Sequence, residues 1–237
     1  MRLIAHRGAS AHAPENTMAA FRLALEMGAE AVELDVHLTK DGELVVIHDE
    51  DVRRVARRRG KVRDLTLEAA RGLDVGSWFS ARFAGERVPR LEEVLDLVEG
   101  RAELHVEIKK GSSLYPGIEG KLVRLIQERR ARSRVVVSSF DHKALYSARS
   151  LDPGLRLGYL LGLTNLKAAF REIAELKAES LNLSLGQANA RRVRAAHERG
   201  LKALVYTVNT PKAAARLARL GVDGIFSNFP ELAASLS

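Results

Sequence analysis

The stretch AVELDVHLTKDGELVVIHDE, residues 31–50, begins as a buried strand and then departs from one. Successive strand side chains point to opposite faces, so Val32, Leu34 and Val36 share one side and Glu33, Asp35 and His37 the other. An apolar row backed by a row of ionisable groups asks for helices on one side and a site that tolerates charge on the other. The chain then turns at Asp41-Gly42, and Asp-Gly between two runs of strand character is a strong hairpin signal. With those two as the loop residues, Lys40 pairs with Glu43 and Asp35 faces His48 across the ladder. The run LVVIH, 44–48, is then the return arm of a hairpin.

Working outward, one phrase recurs. FRLALEMGAEAVELDV, EEVLDLVEGRAELHVEIK, RVRAAHERGLKALVYTV and AAARLARLGVDGIFS each carry apolar residues at helical spacing, a Gly where a helix would end, and a short apolar strand. Helix-to-strand units of this kind argue for a parallel sheet with helices packed outside it. In APENTMAAFRLALEMG, Pro14 suits a first helical turn, with Met18, Phe21 and Leu25 along one face. Strands are expected at 2–7, 31–36, 103–109, 134–140, 156–161, 180–184, 203–208 and 224–227. Eight staves in 237 residues point to a TIM (β/α)8 barrel. A doubly wound open sheet is the alternative, but HRGAS after the first strand is not a G-x-G-x-x-G loop. The chain reads as one domain, 1–237, with an insertion after strand two at roughly 50–88. That insertion holds the run RRVARRRGKVR, 53–63, and the single tryptophan, Trp78.

Composition sets limits. There is no cysteine, hence no disulfide framework, thiolate metal site or thiol nucleophile. No apolar run has membrane-spanning length and MRLIAHRGAS is no secretory signal, so a cytoplasmic location is expected. The net charge of +8 suggests an anionic partner. The Arg-rich run has no interleaved aromatics and reads as a solvated face, so nucleic acid is not expected as a partner. A homo-oligomer is compatible with the apolar residues of the insertion.

In a TIM barrel the chemistry sits at the C-terminal ends of the staves. There the sequence places His6 and Arg7 on the first, Glu33 and Asp35 on the second, and Glu107 and Lys109 on the third, with the hairpin returning His48. Three converging carboxylates repel unless something neutralises them. A hard divalent cation, Mg²⁺ or Ca²⁺, would do so through oxygen ligands. Zn²⁺ through His6 or His48 is a further option, and an internal ion-pair network with Arg7 and Lys109 is the structural alternative. Two histidines beside such a site suit general acid–base work. His105 lies deeper on the same face and reads as core, while His12, His37, His142 and His197 read as loop, hairpin or helix-surface residues.

The segments HRG (6–8), PENT (14–17), ELD (33–35), TKDG (39–42), HD (48–49), EIK (107–109), TVN (207–209) and GVDGIFSNFP (221–230) occur in that order along the chain. Together they resemble the glycerophosphodiester phosphodiesterase family. The resemblance implies a TIM barrel with an insertion after strand two. It implies Glu33, Asp35 and Glu107 as metal ligands, His6 and His48 as general acid and base, and Arg7 and Lys109 as phosphate-neutralising groups. Glu15 and Asn16 would support the loop behind His6. Tyr206 stands where the family often has Trp before TVN, and would contact the glycerol. The implied reaction is hydrolysis of a small glycerophosphodiester to sn-glycerol 3-phosphate and an alcohol. One histidine would deprotonate the glycerol 2-hydroxyl, and the other would protonate the leaving alcohol. A lysophospholipase D-like activity and a non-catalytic anion- or lipid-headgroup-binding barrel are the alternatives.

Overall fold

The computed structural model describes residues 1–235. The strands are β1 (Arg2–His6), β2 (Ala31–Leu38), β3 (Leu44–Val46), β4 (Glu103–Ile108), β5 (Val135–Ser139), β6 (Arg156–Leu160), β7 (Ser180–Ser184), β8 (Lys202–Tyr206) and β9 (Gly224–Ser227). Eight of them pair in parallel in the ring β1-β2-β4-β5-β6-β7-β8-β9, and β9 returns to β1. This is the closed barrel that the eight staves predict. Only β3 is antiparallel, against β2.

The α-helices are α1 (Met18–Glu26), α2 (Arg53–Ala56), α3 (Leu67–Arg71), α4 (Leu91–Val98), α5 (Gly111–Leu114), α6 (Ile118–Glu128), α7 (His142–Leu151), α8 (Leu166–Leu176), α9 (Ala190–His197) and α10 (Pro211–Arg219). None is long and apolar enough to cross a membrane. The glycines of the recurring phrase, Gly28, Gly100, Gly200 and Gly221, all have positive φ, between 67° and 82°. Each therefore lets the chain leave its helix through the left-handed region, where a Cβ would be strained, and turn into the next strand. Pro14 does not occupy a first helical turn. The helix starts at Met18 because the Thr17 side chain caps it, accepting from the Ala20 N–H at 3.2 Å. Pro14 lies upstream, and its carbonyl accepts from the Thr17 hydroxyl.

The outward faces of the staves, including Val32, Leu34, Val36, Val106 and Ile108, are buried against Phe21, Leu91, Leu95, Leu122 and Ile126. Full burial of each such side chain stabilises by about 1.5–3 kcal/mol. A second apolar cluster belongs to the segment between β3 and α4. Val52, Val55, Val62, Leu73, Val75 and Val88 pack on Val45 and Ile47, with Trp78 against them. The return arm thus anchors that segment.

The hairpin register differs from the expected one by a single residue. Val36 pairs with Val46 and Leu38 with Leu44, so Thr39 faces Glu43 and the loop is Lys40-Asp41-Gly42. The reason is local chemistry. Asp41 accepts from the Thr39 hydroxyl (2.6 Å) and from the Leu67 N–H (2.9 Å), while Gly42 takes φ +79°. That is the geometry of a three-residue hairpin loop closed by a glycine in the left-handed region. Asp35 therefore faces Ile47, whose N–H donates to its carbonyl at 3.0 Å, and His48 lies one residue beyond the ladder.

At the opposite, N-terminal rim, Glu103 accepts from Arg2 (2.8 Å), from His105 Nε2 (2.9 Å) and from Arg156 (2.7 Å), and Arg156 forks onto Glu179. Burial pushes the Glu103 carboxyl up, but the bonds from His105 and Arg156 outweigh it and hold it well below the usual range. A depressed carboxylate contributes stability that is present above its unfolded value of about 4.3 and is lost as pH falls below it. Glu103→Gln is therefore expected to lower the thermal unfolding midpoint at pH 7. The gap to wild type should narrow at pH 3, with turnover unaffected at pH 7. Unfolding scans at the two pH values check this.

Candidate active site

Parallel register brings the acidic side chains together. His6 is the neighbour of Glu33 across β1 and β2, and Asp35 is the neighbour of Glu107 across β2 and β4. In-register neighbours on parallel strands point to the same face, here the barrel interior. One carboxylate oxygen from each of Glu33, Asp35 and Glu107 lies within 4.8 Å of the other two. Oxygen ligands sit about 2.0–2.6 Å from Mg²⁺ or Ca²⁺, so ligands of one ion lie up to about 5 Å apart.

Two cations face these three acids. Lys109 Nζ lies 2.7 Å from Glu107 Oε1 and 3.4 Å from Asp35 Oδ1, and Arg7 Nε lies 3.2 Å from Asp35 Oδ2. The Arg7 Nε–H is not aligned on that oxygen and has no well-formed acceptor. Asn16, buried, donates from Nδ2 to Asp35 Oδ2 at 2.9 Å. The Arg7 backbone, at φ +57°, donates its N–H to Glu33 Oε2 at 3.1 Å. Gly8 permits this loop, since a Cβ there would stand 2.6 Å from the backbone of Ala20 in α1.

The charges do not balance. Burial would raise Asp35, but Lys109 and Arg7 hold its carboxyl down at about 2. Burial and the neighbouring Asp35 charge push Glu33 well up and raise Glu107 to about 7. Two cations thus leave one carboxylate of the three without a counter-charge. The pure ion-pair network is electrostatically incomplete, and an all-oxygen donor set of this size fits a hard divalent cation.

Both histidines expected at the site are there, each held through Nδ1. His6 Nδ1 bonds Asn228 Oδ1 at 2.7 Å, and His48 Nδ1 bonds Asp49 Oδ1 at 2.6 Å. Both partners accept, so both rings carry the proton on Nδ1 and turn Nε2 away from it, that of His6 lying 4.0 Å from Glu33 Oε2. Asn228 is itself fixed, its N–H donating to Asn209 Oδ1 at 3.0 Å. These two asparagines belong to the TVN and GIFSN segments, and local pattern could not pair them with His6.

His37 was also missed. It is buried, donates from Nε2 to the His48 carbonyl at 3.0 Å, and accepts at Nδ1 from the Tyr115 hydroxyl at 2.7 Å. Its place on the charged face of β2 was the only available signal. Glu15 accepts from Arg7 Nη1 at 2.9 Å, supporting the loop from the side.

A cavity of about 160 Å³ is lined by His6, Arg7, Glu33, His48, Glu107, Lys109, Phe140, Tyr206 and Phe226. The Tyr206 and Phe140 rings meet edge to face, 6.0 Å apart. A larger cleft of about 960 Å³ lies between the segment Asp49–Arg54 and the chain at Lys110, at Ser113 in α5 and at Asp141. His48, Glu107, Lys109 and Phe140 line both spaces, so the small cavity opens into the large one. This is a polar pocket for an anion beside the carboxylates, an aromatic wall for a small apolar surface, and an open cleft beyond.

The sequence profile of the Glycerophosphoryl diester phosphodiesterase family matches residues 6–232. A glycerophosphodiester phosphodiesterase of Caldanaerobacter subterraneus subsp. tengcongensis is 43% identical, over 97% of this chain and 94% of its own. Among solved structures, an Oleispira antarctica phosphodiesterase in complex with the product sn-glycerol-3-phosphate superposes with a TM-score of 0.94 at 29% identity. That match covers 100% of this chain and 96% of the other. A glycerophosphodiester phosphodiesterase from Agrobacterium tumefaciens gives a TM-score of 0.86 at 31% identity, covering 99% of both chains.

Proposed function

The chain belongs to the glycerophosphoryl diester phosphodiesterase family, and on that premise we propose that it hydrolyses small glycerophosphodiesters to sn-glycerol 3-phosphate and an alcohol with His6 and His48 as the proton carriers. The observation that carries this reading is the pair of imidazoles, each pinned at Nδ1, lining one cavity with a carboxylate cluster and two cations. Glu33, Asp35 and Glu107 would hold one divalent ion, Mg²⁺ or Ca²⁺. When bound, such an ion supplies Lewis-acid stabilisation of charge on a phosphoryl oxygen.

The chain's own residues do the rest. Arg7 and Lys109 neutralise the remaining phosphoryl charge as it builds. His6, backed by a neutral amide oxygen, takes the proton of the glycerol 2-hydroxyl at Nε2. That oxygen attacks phosphorus and forms a cyclic phosphate. His48, entering the step as the imidazolium that the Asp49 carboxylate supports through Nδ1, gives its Nε2 proton to the departing alcohol and is left as the neutral Nδ1–H ring. The roles then reverse: His48 takes a proton from water as it opens the ring, and His6 returns one to the 2-hydroxyl. Tyr206 and Phe140 offer their rings to the glycerol carbons.

The test is release of glycerol 3-phosphate from glycerophosphocholine with Mg²⁺, Ca²⁺ or EDTA. Release that EDTA abolishes and either ion restores supports the reading; EDTA-insensitive release contradicts the ion's role. The 960 Å³ cleft favours a second reading, a lysophospholipase D-like activity, because it is at the upper end of ordinary ligand pockets and has room for an acyl chain carried on the glycerol. Faster release of choline from lysophosphatidylcholine than from glycerophosphocholine would select it.

A further inference from the structure

The run at 53–63 reads as a solvated face, and most of it is one. Arg53, Arg57, Arg58 and Arg59 are exposed, and Arg53 lies 3.5 Å from Asp51. Arg54 behaves differently. Its Nε donates to Asp49 Oδ2 at 2.6 Å, and its Nη1 and Nη2 donate to the two oxygens of Glu15 at 2.9 and 2.8 Å. The other oxygen of Asp49 holds His48 Nδ1, and Glu15 Oε1 also accepts from Arg7 Nη1. One unbroken chain therefore runs His48–Asp49–Arg54–Glu15–Arg7, with the Trp78 ring 5.9 Å from the guanidinium carbon.

We propose that Arg54 is a positioning residue whose guanidinium fixes the His48 imidazole and the Arg7 guanidinium in one relative orientation. The proposal rests on the hydrolytic reading above. Isolated surface ion pairs contribute little, but this one is bidentate, belongs to a network, and engages a carboxylate, Glu15, that is only 14% exposed. Without Arg54, Asp49 loses its second anchor and is free to rotate away from His48. Glu15 then keeps only Arg7 and draws it from the phosphate pocket. A lysine would restore charge but not the planar fork that reaches both acids. The segment between β3 and α4 thereby becomes part of how the site is aligned.

The experiment compares wild type with Arg54→Ala, Arg54→Lys and the control Arg58→Ala, an exposed arginine of the same run that lines neither the cavity nor the cleft. Arg54→Ala is expected to lower kcat by about 10- to 100-fold, the scale of lost charge-assisted hydrogen bonds. Arg54→Lys should recover little of this, and Arg58→Ala should match wild type. The Arg54 side chain is 42% exposed, so millimolar guanidinium ion can enter the space it leaves and should restore part of kcat in Arg54→Ala. The ¹⁵N spectrum of His48 should change from a single Nδ1–H tautomer in wild type to a mixture in Arg54→Ala. Unchanged kcat in Arg54→Ala overturns the proposal. So does a loss of kcat that guanidinium does not restore while the His48 spectrum stays as in wild type. Wild type inactive on every diester would overturn the hydrolytic reading instead, and the His48 spectrum would still decide the positioning claim.

Discussion

Replacing His48 with alanine is expected to lower turnover of a glycerophosphodiester by about 10²–10⁴-fold, the range supplied by a positioned acid or base. Stability should change little. The His48 side chain is 28% exposed, and its carbonyl, not its ring, receives the bond from His37. Asp49 keeps its bond to Arg54 when the imidazole is gone. The folded site should therefore survive with its proton carrier removed. Circular dichroism and the unfolding midpoint verify the fold, and product release measures the loss. If His48 is the acid for the first step, the deficit should shrink with a diester whose leaving alcohol is strongly acidic, because such an alcohol departs without a proton.

Asp35→Asn is expected to have a comparable effect by a different route. Asp35 is the point where Lys109, Arg7 and Asn16 all converge, and it sits between the other two acids. The amide keeps the shape but removes the charge that the two cations face. Cation binding should collapse, and turnover should fall to near the level left by EDTA. A readout independent of turnover separates this from simple damage. Saturating Mg²⁺ or Ca²⁺ should stabilise wild type by about 2.7 kcal/mol at one hundred times Kd. The unfolding midpoint of Asp35→Asn should not respond to either ion. An equal response in the variant would mean that the ion binds elsewhere.

Much of the fold was legible because it follows local rules. Four glycines in the recurring phrase mark four helix ends, and each one takes the positive φ that this place requires. The alternation in AVELDV and ELHVEIK put Glu33, Asp35 and Glu107 on one face. Parallel register then made neighbours of Asp35 and Glu107 without any further information. The hairpin register escaped by one residue because Asp-Gly marks a tight turn without fixing its length. The Leu67 N–H, 26 residues along the chain, helps to hold Asp41 in the longer loop.

The supporting residues were less legible for the same reason on a larger scale. Asn228 reaches His6 across 222 positions, and Glu15 selects Arg54 across 39. Nothing in RRVARRRGKVR distinguishes Arg54 from its neighbours until the barrel places Glu15 opposite it. His37 looked like an ordinary hairpin residue, since its bond to the backbone of His48 depends on how the return arm leaves the ladder. The ordered motifs carry the residues proposed to react, while the groups that hold them in place were set by tertiary contacts.

On the proposed mechanism this barrel cleaves the phosphorus–oxygen bond on the alcohol side, using the glycerol 2-hydroxyl as its first nucleophile. A ³¹P NMR time course on glycerophosphocholine with Mg²⁺ or Ca²⁺ tests it most directly. The expected result is loss of the diester signal, a transient glycerol cyclic phosphate, and accumulation of glycerol 3-phosphate with free choline. Accumulation of phosphocholine and glycerol, or choline released equally fast from a diester lacking the 2-hydroxyl, would contradict it.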